Sequence, residues 1–141
     1  YADRKKGSPV GIYAGTVEDQ YFPYVMPQET GNKTDVRWAV VKNEAQGLMV
    51  IADELLNVSV HKYSLENLTN AKHTHEVKSD NRVYFNIDHK MMGLGGDDSW
   101  NPRTHEEFLI QPGQYQYSFQ LCPVENDMDE ILTRSKQTPK Q

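Results

Sequence analysis

Cysteine is nearly absent from this chain. Cys122 is the one thiol among 141 residues, so no internal disulfide framework is available, and the composition fits a reducing compartment without requiring one. Long apolar runs are missing as well. None approaches the roughly 20 residues needed to span a bilayer, which excludes a transmembrane helix in these residues. Basic charge is in deficit: 15 Lys and Arg stand against 20 Asp and Glu, a net charge of −5, with the signs mixed along the chain. Phosphate binding needs a basic patch, so nucleic acid is excluded as the main partner. Internal repeats and low-complexity tracts are also lacking.

The length suits one domain with a substantial core. A chain of about 150 residues hides roughly 68–70% of its unfolded surface. The start is basic and then punctuated by Gly7, Pro9, Gly11 and Gly15, as in an extended or looped segment. Because it opens on Tyr1 without a methionine, it is expected to be a piece of a longer polypeptide. Pro23 and Pro27 forbid a continuous helix over 16–32. Strand candidates follow. "TDVRWAVVKN" (34–43) is rich in β-branched and aromatic residues and ends on a turn-forming Asn43. "GLMVIAD" (47–53) would close a hairpin with it. "NVSVHKY" (57–63) alternates Val58 and Val60 with Ser59 and His61. The period then changes. Ser64 stands at an N-cap position, Asn67 at the capping-box position, and Leu65, Leu68 and Ala71 share a helical face, so one short helix is predicted near 64–73. "RVYFNID" (82–88) and "QYQYSFQL" (114–121) return to strand. After Pro123 the chain turns acidic, then basic and polar, and residues 123–141 are expected to form a poorly ordered tail. Short strands and turns predict an all-β protein, an antiparallel β-sandwich.

The least ordinary stretch is "MMGLGGDDSW", Met91 to Trp100. Asp97, Asp98 and Ser99 offer oxygens beside Gly95 and Gly96, but a calcium loop alternates its acids, and these do not. His73 and His75 form the other metal-like pattern; no cysteine or carboxylate motif completes a tetrahedral set nearby, and a solvent-facing pair is expected. No metal site is assigned. A glycosidase needs two carboxyl groups roughly 5–10 Å apart across a bond, whereas Asp97 and Asp98, like Glu106 and Glu107, are adjacent and would diverge on extended chain. The plain role for Asp97 and Asp98 is to fix a turn through nearby backbone N–H groups. Ser99 lacks a nucleophile elbow, and Cys122 before Pro123 reads as a small apolar group. That leaves Trp100. Glycines allow unusual backbone angles, aspartates hold a turn, Pro102 stiffens the chain just beyond, and an indole ends the loop. Its flat face suits stacking on a sugar ring; the other reading makes it core filler, as expected for Trp38.

These residues also carry a resemblance. "NIDHKMMGLGGDDSW" (86–100) closely resembles the C-terminal region of the large bacterial β-galactosidases of glycoside hydrolase family 2. So do "YADR" (1–4), "YVMPQETGNKTDVRW" (24–38) and "QPGQYQYSF" (111–119), in family order. The match covers most of 1–122, and the tail 123–141 carries none. The resemblance implies the C-terminal part of a galactose mutarotase-like supersandwich over 1–122. It implies that the catalytic glutamates lie on a separate (β/α)₈ barrel, so no catalytic residue is expected here. It assigns Trp100 to substrate binding on the aglycone side of the pocket, with Gly95, Gly96, Asp97, Asp98 and Ser99 positioning its loop. Gln28, Glu29, Arg37 and Trp38 match structural motifs. The intact enzyme would hydrolyse terminal β-D-galactosides such as lactose with retention. Magnesium and sodium would be bound by other domains, with no cofactor in this fragment. The partners implied are a β-galactoside and a catalytic barrel, on the same chain or a large subunit, in an oligomer without nucleic acid or membrane. The expected compartment is the cytoplasm, with the periplasm as alternative. The rival function is a stand-alone carbohydrate-binding or mutarotase-like module. A mutarotase needs a histidine and a carboxylate converging on one sugar carbon, and the spacing of His61, His73, His75, His89 and His105 shows no such pair.

Overall fold

The structure, a computed structural model, describes residues 9–98, 100 and 103–136. The "YADR" motif, Ser99 and Pro102 lie outside them.

One strand organises the sheet. β2 (Gln46–His61) runs for 16 residues and merges the two strands predicted at 47–53 and 57–63. On one side β1 (Lys33–Lys42) pairs with it in antiparallel fashion along its length. On the other side two short strands share the edge: β4 (Phe119–Glu125) pairs with 46–52, and β3 (Tyr84–Asp88) with 57–61. The β1–β2 hairpin is held by Asn43, whose Oδ1 accepts the N–H groups of Ala45 (2.9 Å) and Gln46 (2.8 Å). Gly47 is obligatory beside that turn, because a Cβ there would stand 2.6 Å from the Cβ of Lys42.

The register breaks twice. Asp35 sits at φ 55° where β1 gains an extra residue between Lys33 and Val36. Further along, Val36 pairs with Leu56 and Trp38 with Ile51, so Arg37 alone faces Ala52–Leu55. This bend explains why "QYQYSFQL" does not pair from residue 114 as predicted. Its ladder begins only at Phe119. The bend offers residue 118 one weak backbone contact, Asp53 N–H to the Ser118 carbonyl at 3.4 Å.

Apolar residues line both faces. Met49, Ile51, Val124 and Ile131 form one buried cluster, with Trp38, Val40 and Cys122 against it. Val50, Leu56 and Val58 form the other, flanked by Val36, Phe85, Ile87 and Phe119. The antiparallel, strand-dominated architecture is as expected. Among the described residues it is one sheet, a single layer of the sandwich that the resemblance implies.

The predicted helix is α1 (Leu65–Asn70). The Ser64 side chain accepts the Asn67 N–H at 3.1 Å, and Leu68 is buried. Asn67 does not close the capping box: its Oδ1 turns away to accept the Lys78 N–H at 2.7 Å. The helix ends at Asn70, short of residue 73, because the backbone turns extended at Ala71 (ψ 127°).

The tail expected from residue 123 is corrected for its first 14 residues, 123–136. Residues 123–125 complete β4, with Pro123 opposite Leu48. Met128–Ser135 then forms α2, capped by Asp127, whose Oδ1 accepts the Asp129 N–H at 2.9 Å. Polar composition hides a short stripe, Met128, Ile131 and Leu132, at helical spacing. Ile131 from that stripe is buried against β2 and β4. Residues 137–141 lie outside the described residues.

Candidate functional site

The loop after β3 is built on a tied neck. Gly93 is buried; its N–H donates to the Phe108 carbonyl at 2.9 Å, and its carbonyl accepts the Thr104 hydroxyl at 3.0 Å. Chain from both sides of the excursion is thus joined at one point. Gly95 and Gly96 follow at φ 77° and 88°, the left-handed region that side chains resist. The turn after them needs glycine for this reason.

The two aspartates then diverge. Asp98 Oδ1 accepts the backbone N–H of Trp100 at 2.8 Å, a local Asx-type contact. Asp97 reaches across the loop instead, and its Oδ2 accepts from Nε2 of His105. Asp97 and Asp98 thus engage different partners, Nε2 of His105 and the N–H of Trp100. Ser99 lies outside the described residues. Trp100 is 93% exposed, so it is not filler of this chain's core. Trp38, by contrast, packs partly buried against the Met49 cluster.

Other candidates fall elsewhere. The rings of His73 and His75 stack at 5.6 Å on an exposed one-turn 3₁₀ segment, and His73 Nδ1 lies 3.1 Å from Glu76 Oε1. The Lys72 N–H, followed by His73, holds the Glu76 carboxyl down at about 2. Among the described residues no three His, Cys, Asp or Glu side chains converge on a metal-sized space. Cys122 is part-buried beside the Met49 cluster. Glu106 and Glu107 open the 3₁₀ turn Glu106–Phe108, and the Leu109 N–H donates to the Glu106 carbonyl at 3.1 Å. Arg37 and Gln28 are exposed, while Glu29 is part-buried. Burial, and then the charge of Asp88, raises the Glu29 carboxyl above its usual range. His105, weighed in the sequence only as a mutarotase histidine, has a loop contact that sequence reasoning missed. Spacing could not find it, since eight residues separate His105 from Asp97.

The comparisons with known proteins agree on one family. The model for the beta galactosidase small chain matches residues 1–121. The chain belongs to that family. Its relatives include beta-galactosidases of Pseudoalteromonas haloplanktis, 39% identical over 121 residues, and Photobacterium profundum, 36% identical over 126 residues. A beta-galactosidase of Streptococcus thermophilus is 34% identical over 127 residues. The alignments take in 86%, 89% and 88% of this small-chain segment but only 11%, 12% and 12% of the respective relatives. The segment therefore spans about one-eighth of the length of the curated relatives it matches. No helix among the described residues is long and apolar enough to cross a membrane.

Proposed function

We propose that this segment belongs to a retaining β-galactosidase that cleaves terminal β-D-galactosides such as lactose, and that Trp100 stacks on the substrate at the rim of the pocket. The observation that carries the reading is the near-complete exposure of Trp100 at the end of a loop tied at its neck. An exposed indole costs apolar hydration unless something covers it, and the apolar face of a sugar ring is a fitting cover. The three relatives are named as beta-galactosidases, which favours an enzyme part over a stand-alone sugar-binding or sugar-epimerising module.

On this reading the chemistry is divided. A covalent galactosyl-enzyme would form and break on two carboxyl groups carried by a barrel outside this segment, on the same chain or a large subunit. This segment donates no proton and no nucleophile. Gly95 and Gly96 shape the turn, Asp97 and Asp98 set its end, and Trp100 holds the outer part of the substrate. Such binding raises kcat only where the contact improves in the transition state; otherwise it lowers KM. Magnesium and sodium would be held by other domains, the intact enzyme would be oligomeric, and the cytoplasm is the proposed compartment.

The test is steady-state hydrolysis of lactose by the full-length enzyme with Trp100→Ala. Loss of one stacked aromatic should cost about 1–3 kcal/mol. A fall in kcat/KM of about tenfold or more, with circular dichroism unchanged, is expected. Unaltered kinetics would remove Trp100 from the pocket.

A further inference from the structure

We infer that His105 is a positioning residue, which with Asp97 latches the loop that ends in Trp100; this rests on the reading of Trp100 just given. The loop has an intrinsic problem. Gly95 and Gly96 lie in a row at positive φ, and glycine loses more conformational freedom on ordering than any other residue. A ring carried beyond such a hinge samples many positions unless something restrains the chain after the glycines. The Gly93 contacts tie the neck before the hinge, so they cannot do this alone.

A restraint close after the hinge is Asp97. Its carboxylate only accepts hydrogen bonds, so Nε2 of His105 carries the hydrogen between them. His105 is itself held in place: its carbonyl accepts the Phe108 N–H at 2.9 Å, and the carbonyl of Phe108 accepts the Gly93 N–H at the same distance. The imidazole thus reaches from the tied side of the loop to the span that follows the glycines. Asp97 is followed by Asp98, which accepts the N–H of Trp100 at 2.8 Å. A continuous series of contacts runs from the Phe108 turn through His105, Asp97 and Asp98 to the backbone of Trp100. Both members of the His105–Asp97 pair are more than half exposed. Exposed pairs add little to global stability, so the work of this one is local, selecting one loop conformation from several.

The test uses the full-length enzyme with lactose. His105→Ala and Asp97→Ala should each raise KM about two- to fivefold, the range open to an exposed pair, with kcat little changed. The double variant should be no worse than either single one, because both remove the same contact. His105→Gln, which keeps an N–H donor, should recover most of the loss. In a Trp100→Ala background the His105→Ala effect should vanish. Hydrogen exchange of the 91–108 peptide reads the latch without any sugar. It should quicken in His105→Ala and Asp97→Ala whether or not Trp100 touches substrate. Unchanged exchange, or additive losses in the double variant, would overturn the latch. Quickened exchange alongside kinetics indifferent to Trp100→Ala would support the latch and overturn the substrate role of Trp100.

Discussion

His61, the last residue of β2, is 2% exposed, and its ring lies parallel to that of Tyr63 at 4.7 Å. Tyr63 in turn meets Tyr21 edge-on at 5.5 Å. The imidazole is held by that stacking, with the Thr30 backbone beside it. Burial pushes its pKa below the ordinary histidine value; the Thr30 backbone opposes this and the charge of Lys33 adds to it. The sign follows from linkage. Below about pH 6.5 the unfolded chain takes up a proton that the folded chain refuses, until the lower folded pKa is reached. Local stability therefore falls as pH drops from about 6.5, by at most about 1.4 kcal/mol per pH unit, and is indifferent to His61 above it. Glu29 and Asp88 shift the other way, burial raising both, so their penalty is relieved as pH falls. Hydrogen exchange of the β2 peptide in the full-length enzyme, corrected for intrinsic rates, should quicken between pH 7 and 5.5. His61→Phe, which keeps a stacked ring, should abolish that change; an equal response in the variant would show that another group titrates.

At the scale of elements, β4 and α2 carry the clearest dependence on a single side chain. Ile131 is 1% exposed and closes the cluster formed by Met49, Ile51 and Val124. The Arg134–Glu130 pair at 2.8 Å and the Asp127 cap help the helix form, and Glu130 also accepts the Glu125 N–H of β4 at 3.3 Å, but the apolar anchor is Ile131. Ile131→Ala should cost about 2–4 kcal/mol of local stability, read as lost exchange protection in 119–135 with the β2–β3 pairing retained. Retained protection in α2 would mean that the helix is held elsewhere. The stripe of Met128, Ile131 and Leu132 was visible in the sequence, yet three apolar residues in a polar tail do not announce a core. Their meaning depends on the sheet face that β2 and β4 present. The strands at 34–43 and 82–88 and the helix from Ser64 were legible because alternation and capping are local. The start of the ladder at Phe119 was not, because a bend in β2 removes the partner that Tyr115 and Tyr117 would need.

For the molecule as a whole, the sheet is amphipathic in an unusual sense, with apolar side chains on both faces. Leu48 and Leu121 project from the same face as Val50 and are 41% and 54% exposed. Such gathered apolar surface favours association when nothing covers it. The isolated 141-residue chain should therefore bind an apolar dye and self-associate in light scattering. Leu48→Lys combined with Leu121→Lys should reduce both, since exposed positions of this kind tolerate substitution within about 0.5 kcal/mol. Equal association in the variant would place the adhesive surface elsewhere.

The sequence by itself determined the all-β character, the hairpin at Asn43, the capped helix at Ser64 and the glycine–aspartate loop that ends in Trp100. All of these depend on neighbours within a few residues, where alternation, capping and backbone permission act. Tertiary structure alone decided that β2 is one bent 16-residue strand with two partners along a shared edge. It also decided that a polar tail hides an anchoring isoleucine, and that Asp97 and Asp98 face different partners. The His105–Asp97 contact is of the same kind. It exists because the Gly93 contacts fold the chain back on itself, bringing together side chains whose spacing carries no signal.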